Sequence, residues 1–198
     1  MSKVKILVVE DEIIIADNIC MILEDLGYEV AEPAINYEEA VETIAEFQPD
    51  LAILDIQLAG KKDGIDLAWH IKENHHFPFI FLTSNADPAT VERAKKVMPP
   101  AYLVKPFNQD DLFTSLEMAL HNFAHQEIKP NTASENVVIQ DAFFVKVKDL
   151  FHKVKFTDIM YLKSEHVYVE VHTSDNKKYL IRGTLTEIVK KLPKNFGS

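Results

Sequence analysis

The chain has 198 residues, 47% of them hydrophobic, enough to bury the core of one domain of ordinary size and a smaller one. Five glycines and nine prolines exclude a low-complexity chain, and the single cysteine, Cys20, excludes an internal disulfide and suits a reducing cytoplasm. Residues 1–125 carry 9 Lys+Arg against 22 Asp+Glu, a net of −13, and residues 126–198 carry 12 against 9, a net of +3; the first half suits metal or phosphate handling and the second an anionic partner, unless surface charge simply varies. In chain order, Met1-Ser2-Lys3-Val4-Lys5 leads into Ile6-Leu7-Val8-Val9, an apolar run cut by acid too early for a signal peptide or a membrane span. Ile15, Ile19, Ile22, Leu23 and Leu26 recur at helical spacing, Gly27 takes the C′ position, and Tyr28 to Ala31 starts an extended segment. A helix from Tyr37 to Phe47, with Ala40, Val41 and Ile44 inward, stops before Pro49. Further helices are predicted over Asp66 to Glu73, over Ala89 to Val97 after Asp87-Pro88, and from Gln109 to about His121.

Between these helices lie Leu51-Ala52-Ile53-Leu54, Phe79-Ile80-Phe81-Leu82 and Tyr102-Leu103-Val104, so strands and helices alternate five times. Such a pattern requires a doubly wound α/β fold, a parallel sheet with helices on both faces. In that fold ligands bind outside the carboxyl ends of the strands, where strand order reverses. Glu10-Asp11, Asp55, Thr83 and Lys105 all sit at those ends. Taken singly, Glu10-Asp11-Glu12 could be an acidic helix start, Asp55 a helix or turn cap, and Lys105-Pro106 an exposed loop charge whose proline makes a turn or a cis bond. None of these readings explains why all four segments meet at one edge.

The motifs Val9-Glu10-Asp11-Glu12, Ile53-Leu54-Asp55-Ile56, Phe81-Leu82-Thr83-Ser84 and Val104-Lys105-Pro106-Phe107 closely resemble the receiver domain of two-component response regulators, over residues 1–124. The implied fold is the (βα)5, flavodoxin-like one. Crowded carboxylates repel, so Glu10, Asp11 and Asp55 form a candidate Mg²⁺ site, with the backbone carbonyl of Gln57 added by the family's pattern. The resemblance implies that Asp55 accepts a phosphoryl group from a sensor histidine kinase, with the Lys105 ammonium and the Thr83 hydroxyl at the phosphoryl oxygens. It also makes Tyr102 the switch aromatic, although ordinary strand packing explains a tyrosine there as well. Where the family often has two aspartates, this chain has Glu10-Asp11, and the longer carboxylate still reaches a cation. Ser84, after Thr83, has a size that should govern how easily water attacks the phosphoryl group. Residues 88–122 form the face through which the family often dimerises.

From His125 to Gln140 helical periodicity is lost amid Pro130, Asn131, Ser134 and Asn136, and residues 125–140 read as a linker. Beyond it the period changes to two, in strands over residues 143–148, 153–156, 159–162, 166–172 and 178–182, with Ser174 to Lys177 as a hairpin connection. Thr184-Leu185-Thr186-Glu187 is a capping box opening one short helix that ends near Pro193. This smaller, mostly β part, residues 141–198, resembles the LytTR type of DNA-binding domain, from Phe156-Thr157-Asp158-Ile159 through His166-Val167-Tyr168-Val169 to Gly183-Thr184-Leu185. By that resemblance His166 and Tyr168 are candidates to meet DNA, with Lys163, Lys177, Lys178 and Arg182 available for phosphates, unless the lysines form a solvated face and the aromatics a core. The family's domain continues into further strands, so these about 58 residues read as a domain truncated at its C-terminal end, with Gly197-Ser198 as a cloning remnant.

Histidines at 121 and 125 have the spacing of helical metal ligands but no third ligand nearby, and no glycine-rich phosphate loop or serine elbow is present. The expected function is a phosphorylation-controlled transcriptional regulator, not an enzyme. A phosphotransfer or protein-interaction intermediate is the alternative. A phosphohydrolase would need a second acid shortly after the nucleophile, and Asp55-Ile56-Gln57 lacks one.

Overall fold

In the computed structural model the described residues are 3–84, 87–126, 137–139, 141–147, 150–165 and 168–193. The chain divides into two compact units, Lys3–Glu127 and Ile128–Ser198.

The first unit runs β1 (Lys5–Val9), α1 (Ile13–Asp25), β2 (Glu29–Val30), α2 (Tyr37–Phe47), β3 (Leu51–Asp55), α3 (Gly64–Asn74), β4 (Phe79–Thr83), α4 (Pro88–Val97), β5 (Ala101–Val104) and α5 (Gln109–Gln126). The strands form one parallel sheet in the order β2-β1-β3-β4-β5. All five residues of β3 are buried, as a parallel sheet covered on both faces requires. Along β1, β3 and β4 one alternate set, Leu7, Val9, Ala52, Leu54, Phe79 and Phe81, joins Ala40, Ile44, Ile65, Ala68, Ile71, Ala94 and Val97 in a single cluster. The other set, Ile6, Val8, Ile53, Ile80 and Leu82, is buried as well.

Local chemistry sets the helix ends. Gly27 adopts φ 93°, the left-handed conformation foreseen for its C′ position. The Asn36 side chain accepts from the Glu39 amide to start α2, and Gln48 ends it in the left-handed region just before Pro49. Helix α4 starts as expected, with Asp87 accepting from the Ala89 and Thr90 amides and Pro88 in the first turn. Two expectations change. Helix α3 begins at Gly64, not Asp66, because Asp63 caps it and Asp66 completes a capping box, a start that Gly64 hides by its low helix propensity. Helix α5 runs to Gln126, beyond His121 and past the expected boundary at residue 124.

The second unit has two antiparallel sheets. One holds β6 (Val137–Ile139), β7 (Ala142–Val147) and β8 (Leu150–Lys155) in the order β6-β7-β8, and the other holds β9 (Ile159–Glu165), β10 (Tyr168–Thr173) and β11 (Lys178–Arg182) in the order β11-β10-β9. Phe156–Asp158 form a single 3-10 turn, and α6 (Leu185–Lys190) opens with the predicted capping box of Thr184 and Glu187. Strand β6 lies inside the stretch expected to be a linker. Its three β-branched residues pair with β7 at Val137↔Phe144, a long-range match that local composition does not announce. The rest of that stretch beyond α5, apart from 137–139, lies outside the described residues, as do His166 and residues 194–198 with the expected cut end. Phe143, Val145, Val154, Phe156, Val169, Val171, Tyr179, Ile181, Ile188 and Leu192 form this unit's core. The 174–177 connection is a tight hairpin, with the Asn176 amide donating to the Thr173 carbonyl and Asn176 at φ 59°.

Candidate functional site

Parallel register brings the acidic residues together. Val9 pairs with Leu54, so the next residues along the two strands, Glu10 and Asp55, emerge side by side at the sheet's carboxyl edge. Carboxylate oxygens of Glu10, Asp11 and Asp55 lie within 4.8 Å of one another, and Glu10 and Asp55 are buried. Lys105 follows β5, two strands away from β3, and its long side chain crosses the end of β4. There its ammonium donates to Asp55 Oδ2 at 2.7 Å and lies 2.7 Å from Glu10 Oε2. The approach to Glu10 falls outside hydrogen-bonding angles, so Oε2 is a buried acceptor held by charge alone. Two buried carboxylates thus share one lysine, with exposed Glu12 3.9 Å from it and Asp11 beside the pair.

Burial, reinforced by the charge of Asp55 and opposed by Lys105, pushes the Glu10 carboxyl up to about 7. Burial works against the Lys105 ammonium, but its hydrogen bond to Asp55 and the charge of the adjacent Glu10 outweigh that and hold its pKa above the usual lysine value. Oxygen donors in excess of local positive charge, with one buried oxygen lacking a hydrogen bond, fit a hard divalent cation.

The other predicted residues surround this centre. The Gln57 amide donates to Asp55 Oδ1 at 2.9 Å, fixing the carboxylate's orientation. Thr83 ends β4 beside Asp55, and its hydroxyl donates to the Ser84 carbonyl at 2.7 Å; the Ser84 side chain is exposed. Tyr102 is 42% exposed, its ring 6.0 Å from that of Phe81, so it stands on the surface rather than in the core. The Lys105-Pro106 bond is cis. Sequence reasoning missed Gly64: a Cβ there would lie 1.8 Å from the Asp55 carbonyl oxygen, so only glycine lets α3 pack against the phosphoacceptor candidate's backbone. It also missed Arg93 of α4, which donates to the Asp63 cap of α3 at 2.7 Å.

In the second unit the register gathers most of the DNA-contact candidates on one sheet face. Tyr168 stands opposite Arg182 and Glu165, Glu170 opposite Lys163 and Leu180, and His172 opposite Lys178 and Tyr161. At the centre is Glu170, which sequence reasoning overlooked. It accepts from Lys178 at 2.8 Å, lies 3.1 Å from His172 Nε2 and 3.9 Å from Lys163, and the Lys178 bond foremost holds its pKa below the usual glutamate value. Lys163 also pairs with Glu165, and Lys177, at the hairpin, with Asp175. Tyr161 stacks on His172 with centroids 4.3 Å apart, and Tyr168 is 41% exposed, so both tyrosines belong to the surface.

Residues 6–117 match the response regulator receiver domain family. The chain belongs to the response regulator receiver family. In this receiver-containing chain, residues 149–197 match in addition the LytTr DNA-binding domain. The chain is 37% identical over 119 residues to the transcriptional regulatory protein PdtaR of Mycobacterium tuberculosis, a match covering 60% of this chain and 58% of that protein. It is 29% identical over 190 residues to the sensory transduction protein LytT of Bacillus subtilis, covering 96% of this chain and 76% of LytT. Among solved structures, the signal receiver domain of a modulated diguanylate cyclase from Desulfovibrio desulfuricans is 40% identical with a TM-score of 0.58, covering 62% of this chain and 97% of that one. NtrX of Brucella abortus is 32% identical with a TM-score of 0.57, covering 64% of this chain and 28% of NtrX. The expected flavodoxin-like receiver and the smaller β unit are both present.

Proposed function

We propose that this receiver accepts a phosphoryl group on Asp55 from a sensor histidine kinase and controls a DNA-binding output that regulates transcription. The observation that carries the proposal is the Lys105 ammonium set 2.7 Å from both Asp55 and Glu10 at the carboxyl edge of the sheet. An oxygen of Asp55 attacks phosphorus, the bond from phosphorus to the donor's imidazole nitrogen breaks with its electron pair left on nitrogen, and an acyl phosphate forms. Such a transfer depends mainly on positioning and on neutralising charge. The Gln57 amide holds one Asp55 oxygen, leaving Oδ2, now engaged by Lys105, as the attacking atom. Lys105 then follows the new phosphoryl oxygens, and Thr83 turns its hydroxyl from the Ser84 carbonyl toward them. Glu10, Asp11, Asp55 and the Gln57 carbonyl would hold Mg²⁺, which supplies charge neutralisation at the transferring group. Residues 88–122 would dimerise through a face on which Met98, Tyr102, Val104 and Met118 are exposed. No helix among the described residues is long and apolar enough to cross a membrane, and we place the protein in the cytoplasm. It acts as a switch and does not turn over free phosphoesters.

The Glu170 network favours a second reading. Its carboxylate already pairs with Lys178 and sits near Lys163, which weakens their claim on phosphates and suits a unit that binds protein instead. Duplex DNA binding by the full chain with and without beryllofluoride separates the two readings. Salt-dependent binding strengthened by the acyl-phosphate mimic supports the first, and binding absent in both states overturns it.

A further inference from the structure

At the end of the first unit's sheet opposite Asp55, a cavity of about 220 Å³ is lined by Lys72, His75, His76, Phe77, Phe79, Met98, Pro100 and Phe123. It lies at the amino end of β4, while Thr83 closes the other end of that strand, roughly 13 Å away at about 3.3 Å per residue. Phe77 and Phe79 are buried beneath it, and the His76 ring lies 5.2 Å from that of Phe123. Among the described residues no acidic one lines it. Lys72 donates to the Val97 carbonyl at 2.7 Å, and among the described residues it meets no carboxylate. In a domain of net charge −13, an ammonium beside aromatic walls and without an acidic partner is out of keeping with its surroundings.

We propose that this cavity binds a small planar aromatic molecule bearing one carboxylate. The aromatic walls take the ring by offset stacking and apolar burial, and the ammonium, with protons beyond the one given to Val97, takes the carboxylate in a charge-assisted hydrogen bond. Burial, and then the neighbouring His70, depress the His75 pKa, so that imidazole serves as a neutral hydrogen-bonding wall at neutral pH. A phosphate fits poorly. The site offers one permanent cation, and the carbonyl end of α4 at Val97 and Met98 disfavours a second negative charge. The volume, below the roughly 300 Å³ at which pockets for drug-sized ligands begin, limits the occupant to one or two rings.

The test is a heteronuclear NMR titration of the full chain with three probes, indole-3-acetate, indole and tryptamine. Indole-3-acetate is expected to shift amides of residues 72–77, 79, 98 and 123 saturably, and to bind about tenfold more tightly than indole, the effect of one charge-assisted hydrogen bond. Tryptamine is expected to bind more weakly than indole. Lys72→Met should erase the preference for the acid while leaving indole affinity unchanged, and Lys72→Arg should keep it. Should Lys72→Met not fold, the Lys72→Arg chain and the ranking of the three probes on the native chain still decide the matter. Equal affinity for all three probes, no saturable shift up to about 10 mM, some tenfold weaker than a millimolar ligand, or shifts confined to the Glu10–Asp55 edge would overturn the proposal. So would saturation by a tryptophan-containing peptide with its carboxyl groups blocked and not by indole-3-acetate, which would mark a protein-docking pocket.

Discussion

Both units set lysines against glutamate, with opposite results. At the receiver's edge two buried carboxylates share one lysine with Asp11 beside them, and burial, reinforced by the charge of Asp55, pushes the Glu10 pKa up to about 7. On the β9-β10-β11 face Glu170 sits among two lysines and a histidine, one of the lysines shared with Glu165, and its pKa is held below the usual glutamate value. The ratio of charges, more than their presence, separates a site that calls for an added cation from one that is already neutralised. Burial is the larger cause in the first case, because an unmatched carboxylate costs more away from water.

The sharpest way to break this contrast is Asp55→Asn, which removes the proposed nucleophile. Phosphate-affinity electrophoresis after incubation with acetyl phosphate and Mg²⁺ should show complete loss of the shifted band, and a retained band would place the phosphoacceptor elsewhere. Next in size, Gly64→Ala forces a methyl group toward the Asp55 carbonyl and should cost about 1–3 kcal/mol of stability in urea unfolding; an unchanged midpoint would mean that α3 shifts freely.

For the second site, Glu170→Gln should release Lys178, while Lys163 keeps its pair with Glu165, raising non-specific affinity for duplex DNA by a few-fold and steepening the salt dependence by up to about one phosphate contact. Unaltered affinity and slope would show that this face does not meet DNA. A smaller effect concerns pH. Since folding raises the Glu10 pKa to about 7 from 4.5, the folded chain binds the extra proton between those values. That contribution to stability is complete below about pH 4.5 and lost as pH rises through about 7. In chelator, Glu10→Gln should remove this part of the pH dependence of thermal unfolding. For the native chain, added Mg²⁺ should raise the melting temperature more at pH 8 than at pH 6, since a cation competes with the proton. Smallest of all, a bulkier residue at Ser84 should slow loss of the phosphoryl group by a few-fold; identical decay rates would remove Ser84 from that role.

Much of the receiver was legible because its signals are local. Apolar runs, the Asp87-Pro88 start and the Gly27 stop each depend on residues within a turn of one another, as does the Thr184–Glu187 capping box of the second unit, and the structure has all of them. Strand β6 was not legible, since three β-branched residues among loop-forming ones become a strand only by pairing with β7. Gly64 was missed because its reason lies in the backbone of Asp55, nine residues away and on another element.

By itself the sequence determined which chemical groups stand at the strand ends, and with them the family and the candidates Glu10, Asp11, Asp55, Thr83 and Lys105. Tertiary structure alone decided how those groups share charge. Whether Lys105 reaches one carboxylate or two, and whether Lys178 faces solvent or Glu170, follows from strand order and register. Electrostatic energy depends on distances of a few ångströms and on burial, neither of which is encoded in the spacing of residues along the chain.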